Sequence, residues 1–178
     1  MPIRMTVTMP GFAKAVAHIK KVLHYVDDSG EEVSLAGFNA AGDIFERNFD
    51  AGGKGYGLGG WEPLQASTQD DRRRKGFSPE RPILIRYHDL RTISATALRV
   101  AGGSGAFSAT DPDGHTVSMD LRVGRNGGYA QITGDKAWNQ VPLTNGTPAR
   151  PFWFTTTTVT RDIRKRAVFT LAQGIGRL

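Results

Sequence analysis

The sequence predicts a single α+β domain, residues 1–178, in which a small antiparallel β-sheet packs against helices. Apolar residues recur at helical spacing in the early part of the chain and again near its end. Between these regions, two segments alternate apolar and polar residues on either side of a strong turn signal. A long, flexible glycine-rich loop is predicted at about residues 51–60, between the early helices and the remaining elements.

A short strand followed by a helix is predicted at the start of the chain. Residues Ile3–Met9 alternate apolar and polar side chains until Pro10-Gly11, which favours a strand ended by a turn. A helix that ends near Asp27–Gly30 is then predicted, because apolar residues recur every three or four positions before that segment. We expect its apolar stripe to face the core, through Phe12, Val16, Ile19 and Leu23.

Two further helices are predicted on either side of the glycine-rich loop. The first should follow Gly30 and reach Phe49, because its apolar residues keep helical spacing and the Gly52-Gly53 pair is typical of a C-terminal stop. The second is short and should have Ser67 as its N-cap and Gly76 at its end.

A central core element and a β-hairpin are predicted next. The core element is the apolar run Pro82–Tyr87, and it should extend through Leu90, Ile93 and Leu98. The hairpin should join strands Gly105–Thr110 and His115–Val123, because the Asp111–Gly114 tetrapeptide between them has the residues of a tight turn. The second strand alternates apolar and polar residues, so one of its faces should be buried, which we call its dry face.

A helix at about residues 159–172 is predicted to complete the domain. Its apolar residues Ile163, Ala167 and Leu171 are spaced to share one face. We expect a frayed tail after this helix, at Gly174–Gly176.

The charge of the chain is basic and unevenly distributed. The net charge is +6, and residues 61–178 carry 17 basic and 10 acidic groups. A basic excess favours a polyanionic partner such as nucleic acid, but it also suits an acidic protein surface or solubility alone. The densest basic run is Arg72, Arg73, Arg74 and Lys75, whose side chains should fan around a helix, so solvated charge is the alternative interpretation.

No motif in the sequence indicates enzymatic chemistry. The Gly55-x-Gly57-x-x-Gly60 spacing lacks the preceding strand and following helix of a nucleotide-binding loop, so a flexible loop is the favoured interpretation. The four histidines have no metal-binding spacing, and the chain has no cysteine. We therefore expect no enzyme, metal or cofactor, although catalytic residues can converge from distant positions. No apolar run is long enough for a membrane span, so we expect a soluble chain without membrane contact.

A set of short motifs resembles the virion-morphogenesis, or tail-completion, family of tailed phages. The motifs follow the glycine-rich loop in order and fall within about residues 35–155. They are Trp61-x-Pro63-Leu64 with Thr68, Pro82-Ile83-Leu84, Tyr129-Ala130 and Pro148–Phe152. The resemblance implies a small α+β protein of the phage neck, similar to tail terminators, that acts by shape rather than by turnover.

The resemblance also implies partners and a location. The chain would form a homomeric ring, with sixfold symmetry expected, that terminates the tail tube or joins the tail to the head. Its partners would be further copies of itself, neighbouring neck or connector proteins and tail tube proteins, in the virion and, during assembly, in the host cytoplasm. The alternative function is a basic nucleic-acid-binding module that contacts the DNA backbone without reading sequence.

Two groups of candidate residues follow from the ring hypothesis. The subunit-interface candidates are Trp61, Arg150, Phe152 and Trp153. Two competing interpretations stay open, because Trp61 would also fill the core beside Leu64 and Arg150 would also suit an internal salt bridge. The candidates for a basic lumen that DNA passes through are Arg72, Arg73, Arg74, Lys75, Arg122 and Arg125.

Overall fold

The computed structural model describes residues 11–54, 56, 59–79, 89–93, 104–134 and 156–178. The helices are α1 (Phe12–Asp28), α2 (Gly30–Asp50), α3 (Ala66–Arg74), the single turn α4 (Asp89–Arg91) and α5 (Thr157–Ile175). The strands are β1 (Gly105–Thr110), β2 (Thr116–Gly124) and β3 (Gly127–Thr133). The predicted α+β class with a small antiparallel sheet is confirmed. The predicted strand Ile3–Met9, the run Pro82–Tyr87 and Leu98 lie outside the described residues.

The sheet has the strand order β1-β2-β3, and both pairs are antiparallel. The predicted hairpin is confirmed, because β1 pairs with β2 from Gly105 opposite Leu121 to Thr110 opposite Thr116. In its turn, the Asp111 carboxylate accepts hydrogen bonds from the N–H groups of Asp113 and His115, each at 2.9 Å. The dry face of β2 is also confirmed, since Val117, Met119 and Leu121 are at most 1% exposed. Strand β3 was not predicted. It returns from β2 through a two-residue turn, with Gly124 opposite Gly127.

Helix α2 covers the inner face of the sheet and forms the core with it. Its residues Ile44, Phe45 and Phe49 are buried together with the β2 side chains. Closer to its start, Phe38 lies against Gly128 of β3, where a Cβ atom would come within 2.9 Å of the Phe38 ring. The core also contains Leu90 and Ile93, as predicted, at 2% and 5% exposure.

Helix α5 runs antiparallel to α2 and packs along it. Gly37 of α2 lies opposite Ile163 of α5. Tyr25, which precedes α2 in the chain, lies opposite Gly174, which is later in α5, so residue numbers increase in opposite directions along the two sides of this contact. The Thr156 hydroxyl caps α5 by accepting a hydrogen bond from the Val159 N–H at 3.2 Å. The predicted frayed tail is wrong at Gly174, which is buried inside the helix because the Tyr25 ring rests on it.

Helix α1 has the predicted boundaries, but two residues of its predicted core-facing stripe lie at the surface. Ile19 is 56% and Leu23 is 60% exposed. Since Tyr25 already reaches the last turn of α5, the part of α1 before it extends beyond the end of α5. We call residues Phe12–Val26 the arm. The prediction failed because helical spacing shows that a face is apolar without showing that anything covers it.

The junction between α1 and α2 is packed against the turn between β2 and β3. A Cβ atom on Gly30 would collide with the backbone carbonyl of Arg125, so only glycine fits there. The Arg125 guanidinium also lies 4.0 Å from the Asp28 carboxylate. These contacts hold the base of the arm against the sheet.

Helix α3 ends as predicted but begins differently. Ser67 is not the N-cap, because Gln65 occupies that position without a side-chain cap and the helix begins at Ala66. At the other end, Gly76 adopts a positive φ of 77°. The Gly76 and Phe77 N–H groups donate to the carbonyls of Arg73 and Arg72 at 3.0 and 2.9 Å, which forms a Schellman motif.

Candidate functional site

The glycine-rich loop positions Trp61 in the core. Gly53 has a φ of 82°, and a Cβ atom there would lie 2.5 Å from the Trp61 ring. The Trp61 N–H donates to the Gly52 carbonyl at 2.9 Å, and the indole meets Phe49 edge-on with ring centroids 5.5 Å apart. Trp61 is only 8% exposed, so the core interpretation holds and its assignment as an interface anchor is wrong. These glycines allow the chain to fold tightly over the indole.

The same loop places Tyr56 beside a small polar cavity between α2 and α5. Tyr56 has a positive φ of 54°, which is uncommon for a bulky residue. The cavity has a volume of about 180 Å³, and its charged lining residues are Asp43, Arg47, Asp162 and Arg166. Each helix contributes one carboxylate and one guanidinium group, so the lining has no net charge to attract an ion. Since Gly55, Gly57 and Leu58 lie outside the described residues, the flexibility of the loop stays a prediction.

The basic run of α3 does not form an open cationic surface. Arg72 is 4% exposed and donates its Nε–H to the Ser78 carbonyl at 2.7 Å, so its assignment to a DNA-facing lumen is wrong. Arg73 pairs with Asp70 one turn earlier. Arg74 lies 4.0 Å from Asp71, and Lys75 lies 2.9 Å from Asp113 in the hairpin turn. Each basic group that remains at the surface is therefore next to a carboxylate.

The two remaining basic candidates also have acidic neighbours. Arg122, on the outer face of the sheet, lies 3.6 Å from Asp120, and Arg125 lies 4.0 Å from Asp28. Asp120 also accepts a hydrogen bond of 2.8 Å from the Tyr129 hydroxyl. This hydrogen bond raises the pKa of Tyr129, because it favours the protonated hydroxyl. The pairing of these charges weakens the case for a DNA-binding surface, while a lumen position for the exposed candidates stays a prediction.

The remaining interface candidates, Arg150, Phe152 and Trp153, lie outside the described residues. In the described part of the chain, no group of three or more acidic or histidine side chains is arranged to hold a metal ion. None of the helices there combines the length and apolar character needed to cross a bilayer.

Two exposed apolar patches are the most distinctive surface features. The first is the arm stripe, which consists of Ile19, Leu23 and Val26, at 56%, 60% and 41% exposure. The second is on α5, where Val168 is 65% and Phe169 is 53% exposed. Their helical spacing predicted that Ile19 and Leu23 share one stripe, but the stripe was expected in the core. The patch on α5 was not predicted, because Val168 and Phe169 are outside the i, i+4 series that packs on α2.

The α5 patch borders an open pocket with a volume of about 1050 Å³, which we call the groove, and in the described part of the chain its lining comes from α5 and the N-cap residue Thr156. One face of α5 lines this groove, through Thr157, Arg161, Arg164, Val168 and Ala172. These residues recur at helical spacing, turned away from the residues that pack on α2. The groove is therefore basic towards the start of α5 and apolar towards its end.

Charged residues also border the arm stripe. Helical geometry places Lys20 and Asp27 along one edge of the stripe. No ion pair to Asp27, Arg164 or Lys165 occurs within the described ranges. The site is thus a pair of apolar surfaces, each with charges beside it.

Comparisons with known protein families, with curated proteins and with solved structures found no match to this chain.

Proposed function

We propose that this chain is a structural subunit of a phage neck, which forms a homomeric ring that terminates the tail tube or joins the tail to the head. The observation that carries the proposal is the exposed arm stripe of Ile19, Leu23 and Val26. The motif resemblance, from Trp61-x-Pro63-Leu64 to Pro148–Phe152, supplies the phage context.

The arm stripe supports an assembly role because exposed apolar side chains on a projecting helix favour association. Full burial of a Leu, Ile or Val side chain contributes about 1.5–3 kcal/mol. Three such residues lie within one narrow face, and more than two-fifths of each is in contact with water. A partner that covers this face would stabilise the complex by part of that free energy, whereas an isolated subunit keeps the face in contact with water.

The alternative, a module that binds the DNA backbone, has less support. It depended on the net positive charge and on the basic run Arg72–Lys75 of α3. Arg72 is buried, and the other three basic groups of the run each lie within 4.0 Å of an aspartate. To bind DNA phosphates, a basic side chain must be available for a new ion pair. The basic side chains here would first have to break their ion pairs with aspartates.

The proposal is tested by electron microscopy of particles assembled without this protein. Tails of abnormal length without heads would indicate that the protein terminates tube growth. Normal tails beside DNA-filled heads would indicate a joining role. Intact, infectious particles would overturn the proposal. A matched control restores the protein from a plasmid and should return particles to normal.

A further inference from the structure

We propose that the arm of one copy docks into the α5 groove of a second copy, so that the ring is built by a head-to-tail contact. This inference deepens the proposed function and rests on it for its biological setting. The arm stripe would cover Val168 and Ala172, and Asp27 would meet Arg164. The contact thus joins the arm stripe to Val168 of the α5 patch.

The arm stripe is not positioned to cover the groove of its own chain. Tyr25 is seated on Gly174 of the same molecule. At 100° per residue, Ile19, Leu23 and Val26 lie within about 60° of one another, and the stripe is about 100–160° around the helix from Tyr25. With Tyr25 against its own α5, the stripe points elsewhere, and a separate molecule must cover it.

The groove suits a helix with this pattern. Its residues Arg161, Arg164, Val168 and Ala172 are spaced by three or four along α5. The arm stripe has the same spacing, from Ile19 through Leu23 to Val26. When two helices pack, the ridges that side chains form at i, i+3 and i, i+4 spacing on one helix fit into the grooves between the ridges of the other. The apolar end of the groove, Val168 to Ala172, has the length of the Ile19–Leu23 part of the arm stripe.

Charge complementarity selects the antiparallel orientation. When Leu23 is placed on Val168 in antiparallel helices, Asp27 is level with Arg164 and Ile19 with Ala172, because both helices rise equally per residue. A parallel placement would instead set Lys20 level with Lys165, and like charges repel. The arm therefore fits the groove with its acidic end at the basic end of the groove.

The head-to-tail contact also covers Val168 of the α5 patch, which an arm-to-arm contact would not. If two arms paired with each other, Val168 and Phe169 would remain exposed in the dimer. In the proposed contact, each copy offers an arm to one neighbour and a groove to another. A contact between two different surfaces repeats until it closes a ring, or it continues as a filament.

The experiment is disulfide trapping between two single-cysteine variants, which is clean because the chain has no cysteine. Full-length Leu23→Cys and Val168→Cys are mixed and mildly oxidised, and the products are identified by mass spectrometry. We expect a mixed disulfide at least about tenfold above the product from the matched control, Lys21→Cys with Val168→Cys. Lys21 is on the opposite side of α1 from the arm stripe, and a disulfide needs Cα atoms about 4.4–6.8 Å apart.

A charge-reversal series tests the orientation of the same contact. Asp27→Arg and Arg164→Asp should each weaken self-association by about tenfold in sedimentation equilibrium, and the double variant should recover most of the loss. Glu31→Arg, which makes the same charge change on α2, should leave self-association unchanged.

Three results would overturn the inference. One is a Leu23→Cys homodimer in place of the mixed disulfide, which would indicate that two arms pair. Another is a mixed yield no greater than that of the Lys21→Cys control. The third is a wild-type chain that stays monomeric at all concentrations. The particle experiment is independent of these results, so a failed contact and a failed neck function are distinguishable.

Discussion

Replacement of Trp61 by alanine should destabilise the folded subunit itself. The indole is 8% exposed, meets Phe49 edge-on and rests on Gly53, so the substitution leaves a cavity in the core. Truncation of a buried aromatic residue costs about 3–5 kcal/mol, which includes the loss of an aromatic pair that contributes about 0.5–1.5 kcal/mol. Such a loss is a large fraction of the stability of an ordinary domain, which is about 5–15 kcal/mol.

Urea unfolding followed by far-ultraviolet circular dichroism measures this loss. Trp61→Phe keeps a ring beside Phe49 and should recover part of the stability. Leu178→Ala is the matched control, because Leu178 is 44% exposed and its truncation should cost less than about 0.5 kcal/mol. If the unfolding free energy of Trp61→Ala is within about 1 kcal/mol of the wild-type value, the core assignment is refuted, because a core cavity costs more than that.

Two other predictions follow from single contacts. Gly174→Ala should lower the unfolding free energy by about 1–3 kcal/mol, because its Cβ would collide with the Tyr25 ring, and Tyr25→Ala in the same chain should remove most of that penalty. Additive losses in urea unfolding would contradict this contact. Asp120→Asn should lower the pKa of Tyr129 towards 10.0, because a neutral amide replaces the negative carboxylate that favours the protonated hydroxyl. Ultraviolet absorbance of tyrosinate against pH measures this change, and an unchanged titration curve would show that Asp120 is not the cause.

The elements that were predicted well from the sequence are those whose structure is determined by residues close together in the chain. The Asp111–Gly114 turn and the glycine that ends α3 depend on hydrogen bonds between residues only a few positions apart. Strand β3 was missed because Gly127 and Gly128 dilute its alternating pattern. Those glycines are required by the turn and by the close approach of Phe38, which the local sequence does not reveal.

The candidate site was harder to predict because it depends on long-range packing. Helical spacing placed Ile19 and Leu23 on one face correctly, but whether that face is covered depends on where α5 ends. Arg72 was expected to meet solvent because its neighbours are charged, whereas the turn after α3 brings the Ser78 carbonyl to its guanidinium. Trp61 illustrates the same limit, since burial and interface exposure are equally compatible with an aromatic residue after a loop.

The glycine at the base of the arm has a consequence for the number of subunits in an assembly. Gly30 is held against the carbonyl of Arg125, so the direction in which α1 leaves the domain is fixed by the turn between two strands. If the arm reaches a neighbouring copy as proposed, this direction sets the rotation from one copy to the next. A larger side chain at position 30 would then change the closure angle, and the ring would gain or lose members or open into a spiral. Stoichiometry would thus be encoded in one backbone contact at a distance from the docking surfaces.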